Sequence, residues 1–351
     1  MNLNWAELPR PMIALSPMAD MTDSAFCRVV RAIEQQSPEK VKRIIVFREM
    51  VSAEAIIRGN SKTLGMTEIH NDERPIVQQL FGSEPDQVAE AAHIIERDHA
   101  PEGFDLNMGC PVYKVVHSFN GASLMKDPER AAAIVRAVKS AVSVPVSVKI
   151  RAGWEDPREC LTFGKILEEA GADLITIHGR TKKQGYSGQA DWNLIGEFVK
   201  TVSIPVLANG DIYTPQLMRE ALETTGAAGV LIARGALGNP WIFKQAIDAL
   251  QGREPEAISL KERVAVIKQH VRWHTEQFDQ GTVQTFRKHL TWYFKALPGA
   301  KPFKQRLHSV ETIEELDAIL DEMIRDGLQA HAISRRDAQH PLAASRLYMA
   351  K

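Results

Sequence analysis

The chain has 351 residues, 44% of them hydrophobic and 25% charged, and a net charge of −1. That is ordinary globular composition, long enough for one large core and a smaller domain, and it excludes a globally basic protein: any nucleic-acid surface must be local. Cys27, Cys110 and Cys160 are too few and too scattered for a disulfide framework, and no CxxC or His/Cys cluster suggests zinc, so a reducing cytoplasmic setting with no metal is expected.

The N-terminal stretch MNLNWAELPRPMIALSPM lacks the basic start and long apolar core of a signal peptide, and no apolar run approaches membrane-spanning length. From residue 12 to about 245, short apolar runs alternate with longer amphipathic stretches. The candidate strands are 13–16, 44–47, 76–81, 104–107, 146–149, 174–178, 206–208 and 230–233. Helical spacing marks 89–97, 128–141, 158–170, 192–201 and 215–224 between them. Asp127-Pro128 and Thr214-Pro215 place a cap before a first-turn proline, and Gly171 and Gly226 stop helices. Eight strands with crossover helices predict a TIM (β/α)8 barrel. The competing doubly wound sheet lacks a GxGxxG after its first strand.

In such a barrel all eight strand ends converge on one rim. The fourth ends in Asp105-Leu106-Asn107-Met108-Gly109-Cys110-Pro111, where the cysteine reads either as a core thiol or as part of the chemistry. The other ends bring Pro17, Met18, Ala19, Gln79, Lys149, Arg151, His178 and Arg180 to the same mouth. Asn209-Gly210-Asp211 and Ala233-Arg234-Gly235 follow strands seven and eight, where barrels commonly bind a phosphate on backbone N–H groups. Two tight turns would want the same glycines.

Residues 252–258 read as a polar linker, and 259–327 as helical throughout, with segments at 260–278, 282–297 and 310–324. The expected organisation is a catalytic barrel over 1–250, a C-terminal all-α helical bundle over 251–330 and a weakly structured tail over 331–351. Within the helical part, 284–307 carries Arg287, Lys288, Lys295, Lys301, Lys304 and Arg306 and no acidic residue, with Phe286, Trp292, Tyr293, Phe294 and Phe303 interleaved. The aromatics suit a helical core. The like charges suit a polyanion partner.

Eight segments then match one family in order: IALSPMADMTD (13–23), EMVSAEAIIRGN (49–60), QLFG (79–82), DLNMGCP (105–111), VKIRAGW (148–154), IHGR (177–180), ANGD (208–211) and RGALGNPWIF (234–243). The chain resembles the tRNA-dihydrouridine synthases, most closely the bacterial B type. The resemblance implies an FMN-binding barrel followed by a helical domain, reducing the C5–C6 double bond of particular uridines in tRNA with NADPH or NADH as electron donor. It implies that Pro17, Met18 and Ala19 lie against the flavin, that Gln79, Lys149 and His178 contact its rings, and that Asn209, Gly210, Asp211, Ala233 and Arg234 hold its phosphate. Cys110 would be the catalytic acid. Asn107 and Arg180 would stand near flavin and target base. Arg287, Lys288 and Lys304 would meet tRNA. A thiol with an ordinary pKa of about 8.5 is mostly protonated at neutral pH, as an acid must be.

Three departures stand out. Ala233 replaces the family's usual glycine, the loop 114–121 is poorer in glycine and basic residues than in many members, and Arg48 stands where relatives have a small residue. Nothing in the sequence demands more than a monomer. The rival readings are an FMN-dependent dihydroorotate or dihydropyrimidine dehydrogenase acting on free pyrimidines, and a tRNA-binding barrel without redox chemistry.

Overall fold

A computed structural model describes residues 3–36, 44–278, 282–295 and 297–325. Eight strands run β1 (Met12–Leu15), β2 (Ile44–Ser52), β3 (Ile76–Phe81), β4 (Gly103–Met108), β5 (Val146–Arg151), β6 (Leu174–His178), β7 (Val206–Asn209) and β8 (Gly229–Ile232). Each pairs in parallel with the next, and β8 pairs back onto β1. The sheet is therefore a closed barrel, as the strand count predicts. The first helices are α1 (Ser24–Glu34), α2 (Ala53–Ile57), α3 (Ser61–Gly65), α4 (Pro85–His99), α5 (Tyr113–His117), α6 (Pro128–Ala141) and α7 (Glu159–Glu169). They are followed by α8 (Trp192–Val199), α9 (Pro215–Thr225), α10 (Ile242–Leu250), α11 (Leu260–Gln277), α12 (Thr282–Tyr293), α13 (Lys301–Ser309) and α14 (Ile313–Arg325). Among the described residues no helix is long and apolar enough to cross a membrane.

The caps follow from local chemistry. The Asp127 carboxylate accepts the Arg130 N–H ahead of Pro128, and the Thr214 hydroxyl accepts the Leu217 N–H ahead of Pro215. Gly171 and Gly226 take φ of +101° and +61°, which a side chain would resist.

Met12, Ala14, Ile45, Phe47, Val77, Leu174, Leu207 and Leu231 form one buried cluster with Leu3 and Trp5. Residues from strands on opposite sides of a closed barrel meet only inside it, so these positions point inward. Side chains alternate along a strand. Inward parity then carries from Val77 to Gln79, from Leu174 to His178, from Leu207 to Asn209 and from Leu231 to Ala233. The interior is apolar in its lower layers and polar at the C-terminal rim.

By contact the chain divides into two compact units. One comprises 1–22, 43–212 and 218–233; the other comprises 23–42, 213–217 and 234–351. The second unit is larger than the helical domain expected over 251–330, because α1 and α10 belong to it. Val29 and Ile33 of α1 share a core with Trp241, Val264, Ile267, Phe286, Tyr293, Leu316 and Leu320. The tail expected over 331–351 lies outside the described residues.

Candidate active site

β-Register sets the site. Gln79 stands beside Asp105, Asp105 beside Ser147, Asn107 beside Lys149, Arg151 beside His178, and His178 beside Asn209. Adjacent inward side chains of a parallel sheet are within bonding reach, and here they form a relay of amides. The Ser147 hydroxyl donates to Asp105 Oδ1 (2.6 Å) and the Gln79 amide to Asp105 Oδ2 (2.6 Å). Asn107 Nδ2 donates to Gln79 Oε1 (2.9 Å). Asn107 Oδ1 accepts the backbone N–H of Cys110 (2.9 Å) and that of Gly109 (3.2 Å). A fully buried carboxylate thus anchors, through two amides, the turn that carries Cys110.

The turn is closed on its far side too. The Ala122 N–H donates to the Cys110 carbonyl (3.1 Å), and Gly121, at φ +62°, lets the chain return there. A Cβ at residue 121 would sit 2.8 Å from Cys110 O and 3.1 Å from Cys110 Cβ. Arg151 adds a third tether, its Nε donating to Gly109 O (2.8 Å).

Three titrating groups respond to one another. Burial raises the Cys110 thiol above its ordinary value, against the Val112 N–H and the charges of Lys149 and Arg151. It stays protonated at neutral pH. Burial pushes Asp105 up to about 6, against the hydrogen bonds from Ser147 and Gln79 and the charge of Lys149. Burial, then the like charge of Arg151, brings Lys149 down to about 8, while Asp105 and Cys110 oppose. No hydrogen bond or ion pair holds the Lys149 ammonium among the described residues.

Other expected residues fall into two groups. Pro17, Met18 and Ala19 follow β1 at the rim and are half-buried to exposed. His178 is buried, with the exposed Tyr186 ring edge-on to it at 6.4 Å. Asn209 donates to Leu231 O (2.6 Å). Gly210, at φ +119°, leaves a cradle whose filling by a Cβ would bring it 2.6 Å from Ala190 Cβ and 2.9 Å from the His178 ring. Arg180, by contrast, is fully buried, paired through both Nη atoms with Asp211 (2.9 and 2.6 Å) and donating to the Ser187 and Gly188 carbonyls. Its geometry is that of a loop anchor, and the Asp211 carboxylate, bonded also to the Ala190 N–H, is its counter-ion. Ser147 and Arg151 complete the site. Arg151 was already legible as a strand end at the rim; the inward parity of β5 was the only sequence signal for Ser147.

Arg234 opens the second unit, its guanidinium 5.6 Å above the Tyr213 ring. Of the basic run, Arg287 gives two hydrogen bonds to Val310 O and Arg306 pairs both Nη atoms with Glu322. Lys288, Lys301 and Lys304 have no such partner among the described residues. Phe286, Tyr293, Phe294 and Phe303 are buried in the helical core.

Arg48 also finds its reason here. It is fully buried, donating to Met66 O (2.8 Å) and Glu68 O, with Glu73 3.5 Å away. It ties the segment between α3 and β3 to β2.

The resemblance implies a flavin in this mouth, and the residues fit one. A half-buried ammonium that no ion pair holds suits an electron-rich ring that accepts negative charge, and the Gly210 cradle suits a phosphate approached by backbone. A closed parallel barrel with a thiol and a lysine at its C-terminal rim has the layout of a barrel enzyme, and the family it matches makes it an oxidoreductase of the flavin-dependent class. The dihydrouridine synthase (Dus) family model matches residues 13–329. The chain is 38% identical over 312 residues to probable tRNA-dihydrouridine synthase 1 of Synechocystis sp., covering 88% of this chain and 85% of that protein. It is 36% identical over 326 residues to tRNA-dihydrouridine synthase B of Pseudomonas syringae pv. tomato, covering 90% and 92%. Histamine dehydrogenase from Rhizobium sp. 4-9 shares the fold, with a TM-score of 0.52 at 12% identity over 86% of this chain and 62% of that one. The chain belongs to the dihydrouridine synthase family.

Proposed function

We propose that this protein is an FMN-dependent tRNA-dihydrouridine synthase that reduces the C5–C6 double bond of uridine, with NADPH or NADH as the electron source. When bound, the flavin supplies the hydride that adds at C6 of the uracil. The rest falls to the chain. Hydride addition leaves an enolate on the uracil, and the Cys110 thiol delivers its proton to C5. Lys149 offsets negative charge in the mouth, and Gln79 and Asn107 hold the thiol's turn in place without titrating themselves. Pro17, Met18, Ala19 and His178 would border the cofactor, and the turn at Asn209-Gly210-Asp211, with the Ala233 backbone and Arg234, would take its phosphate.

A uridine in folded tRNA is stacked and must be drawn out before it can enter a barrel mouth. Lys288 and Lys304 supply phosphate contacts for that grip, and the basic annex distinguishes this reading from an enzyme of free pyrimidines. Arg180 serves the site as the loop's anchor. The protein acts as a cytoplasmic monomer.

The single observation that carries the reading is the Cys110 thiol on a turn tethered by Asn107, Ala122 and Arg151, at the rim that Lys149 shares. Cys110→Ala should retain the yellow flavin band and tRNA binding while dihydrouridine formation falls by about 10²–10⁴-fold, the range of general-acid contributions. Mapping dihydrouridine in tRNA reacted with both proteins decides it; unchanged turnover in the variant removes the acid assignment.

A further inference from the structure

The second unit buries a group of side chains that the proposed reaction does not use. Asp23 caps α1, His274 lies near the end of α11, and His289 lies in α12; all three are buried. One donor atom from each lies within 4.8 Å of the other two. His274 Nδ1 is 3.1 Å from Asp23 Oδ2, and His289 Nε2 is 3.8 Å from the same oxygen. Tetrahedral zinc with ligands at 2.0–2.1 Å sets its donors about 3.3 Å apart, between these two separations.

The donors are also aimed. Asp23 Oδ1 accepts the Phe26 N–H (2.9 Å), which turns Oδ2 toward the histidines. His274 Nε2 lies 2.9 Å from the Thr285 hydroxyl, which can hold the proton on Nε2 and leave the Nδ1 lone pair for a metal. The His289 ring stacks on Phe26 (5.9 Å, 20°) and meets His270 edge-on (4.6 Å). Its Nε2 makes no hydrogen bond within 3.5 Å, and Asp23 Oδ2 lies just beyond that at 3.8 Å. A buried imidazole nitrogen normally finds one. A cation would satisfy it, and would neutralise the carboxylate better than either histidine alone.

We propose that Asp23, His274 and His289 bind one divalent transition-metal ion of the zinc class, clasping α1, α11 and α12. Two imidazoles and one carboxylate suit a borderline cation rather than calcium or magnesium. Full burial keeps out anything as large as a substrate, and three protein ligands leave the fourth tetrahedral position to a water or hydroxide. Its ligands lie 251 and 266 positions from Asp23 along the chain, outside any zinc spacing pattern.

The test uses the purified flavin-bound full chain, stripped with EDTA and then titrated separately with Zn²⁺ and Co²⁺. One equivalent of Zn²⁺ per chain by elemental analysis, with a rise in Tm, is expected. His289→Gln should lose the uptake while keeping its circular dichroism and flavin absorbance. His289→Cys should keep it and add a thiolate-to-cobalt charge-transfer band with Co²⁺. No stoichiometric uptake by the native protein, uptake undiminished in His289→Gln, or no sulfur–cobalt band in a folded His289→Cys would each overturn the site. None of these readouts depends on activity with tRNA.

Discussion

Replacing Lys149 by Met should make the flavin-free protein more stable and a poorer flavin binder. No hydrogen bond or ion pair holds the Lys149 ammonium among the described residues. A fall from 10.5 to about 8 corresponds to roughly 3 kcal/mol of disfavoured charge, at about 1.4 kcal/mol per pH unit. The side chain is open to the mouth on one side, so about 1–3 kcal/mol is the expected gain from an isosteric neutral residue near pH 7. The sign follows from proton counting. Between pH 8 and 10.5 the unfolded lysine holds its proton and the folded one has lost it, so wild-type stability rises with pH through that window. Below pH 8 the full penalty is present; above 10.5 it is gone. The Lys149→Met advantage should therefore be largest near neutrality and shrink toward pH 10. Urea unfolding of both flavin-free proteins at pH 7 and pH 9.5, followed by tryptophan fluorescence, measures it. Flavin affinity, by fluorescence quenching, should fall at least tenfold. A variant less stable than wild type at pH 7, or a gap that does not close with pH, would refute the view of Lys149 as a cation held in readiness for a ligand.

Gly210→Ala forces a Cβ into φ +119° and against Ala190 and His178; a loss of about 1–3 kcal/mol and of the copurifying flavin band is expected, read by Tm and absorbance. Lys288→Ala with Lys304→Ala should weaken tRNA binding and lower the slope of log affinity against log salt by about one per contact, leaving NADPH oxidation by the flavin intact; filter binding across a salt series tests this. Arg48→Met strips the donors from the Met66 and Glu68 carbonyls and removes the charge 3.5 Å from buried Glu73, which keeps the His70 N–H; it should cost about 3–5 kcal/mol, part of it recovered by adding Glu73→Gln, measured by the urea midpoint.

The barrel was legible because each strand is a short apolar run between breakers. β3 and β6 fall at their expected residues, and α6 matches as well. β2 was read too short: Arg48 and Glu49 look like a strand end, yet both are buried, Arg48 by carbonyls from 66 and 68 and Glu49 by accepting the Asp20 N–H. The assignment of α1 to the second unit was not legible. Its apolar positions say that it packs, and only the fold says against what. The site's residue types could be read from strand ends, but not their division of labour. Arg180 and Asp211 are adjacent in no sequence pattern, and only the fold shows that they pair. The basic run divides likewise: Arg287 and Arg306 hold the helices together, while Lys288 and Lys304 are left for a partner. Of the aromatics among them, Phe286, Tyr293, Phe294 and Phe303 are core, as expected, while Trp292 is half-buried.

The turn bearing Cys110 is a ring rather than a hairpin, joined at its base by the Ala122 N–H and made possible by Gly121. The effective length of the active-site segment is therefore twelve or so residues of chain that act as one rigid part. A side chain at 121 would read, in any alignment of phenotypes, as a catalytic defect without a catalytic residue: the thiol would still be present, displaced from the aim that its neighbours impose. Tyr113, exposed in the intervening loop, is not among the groups that close the ring and can vary without opening it.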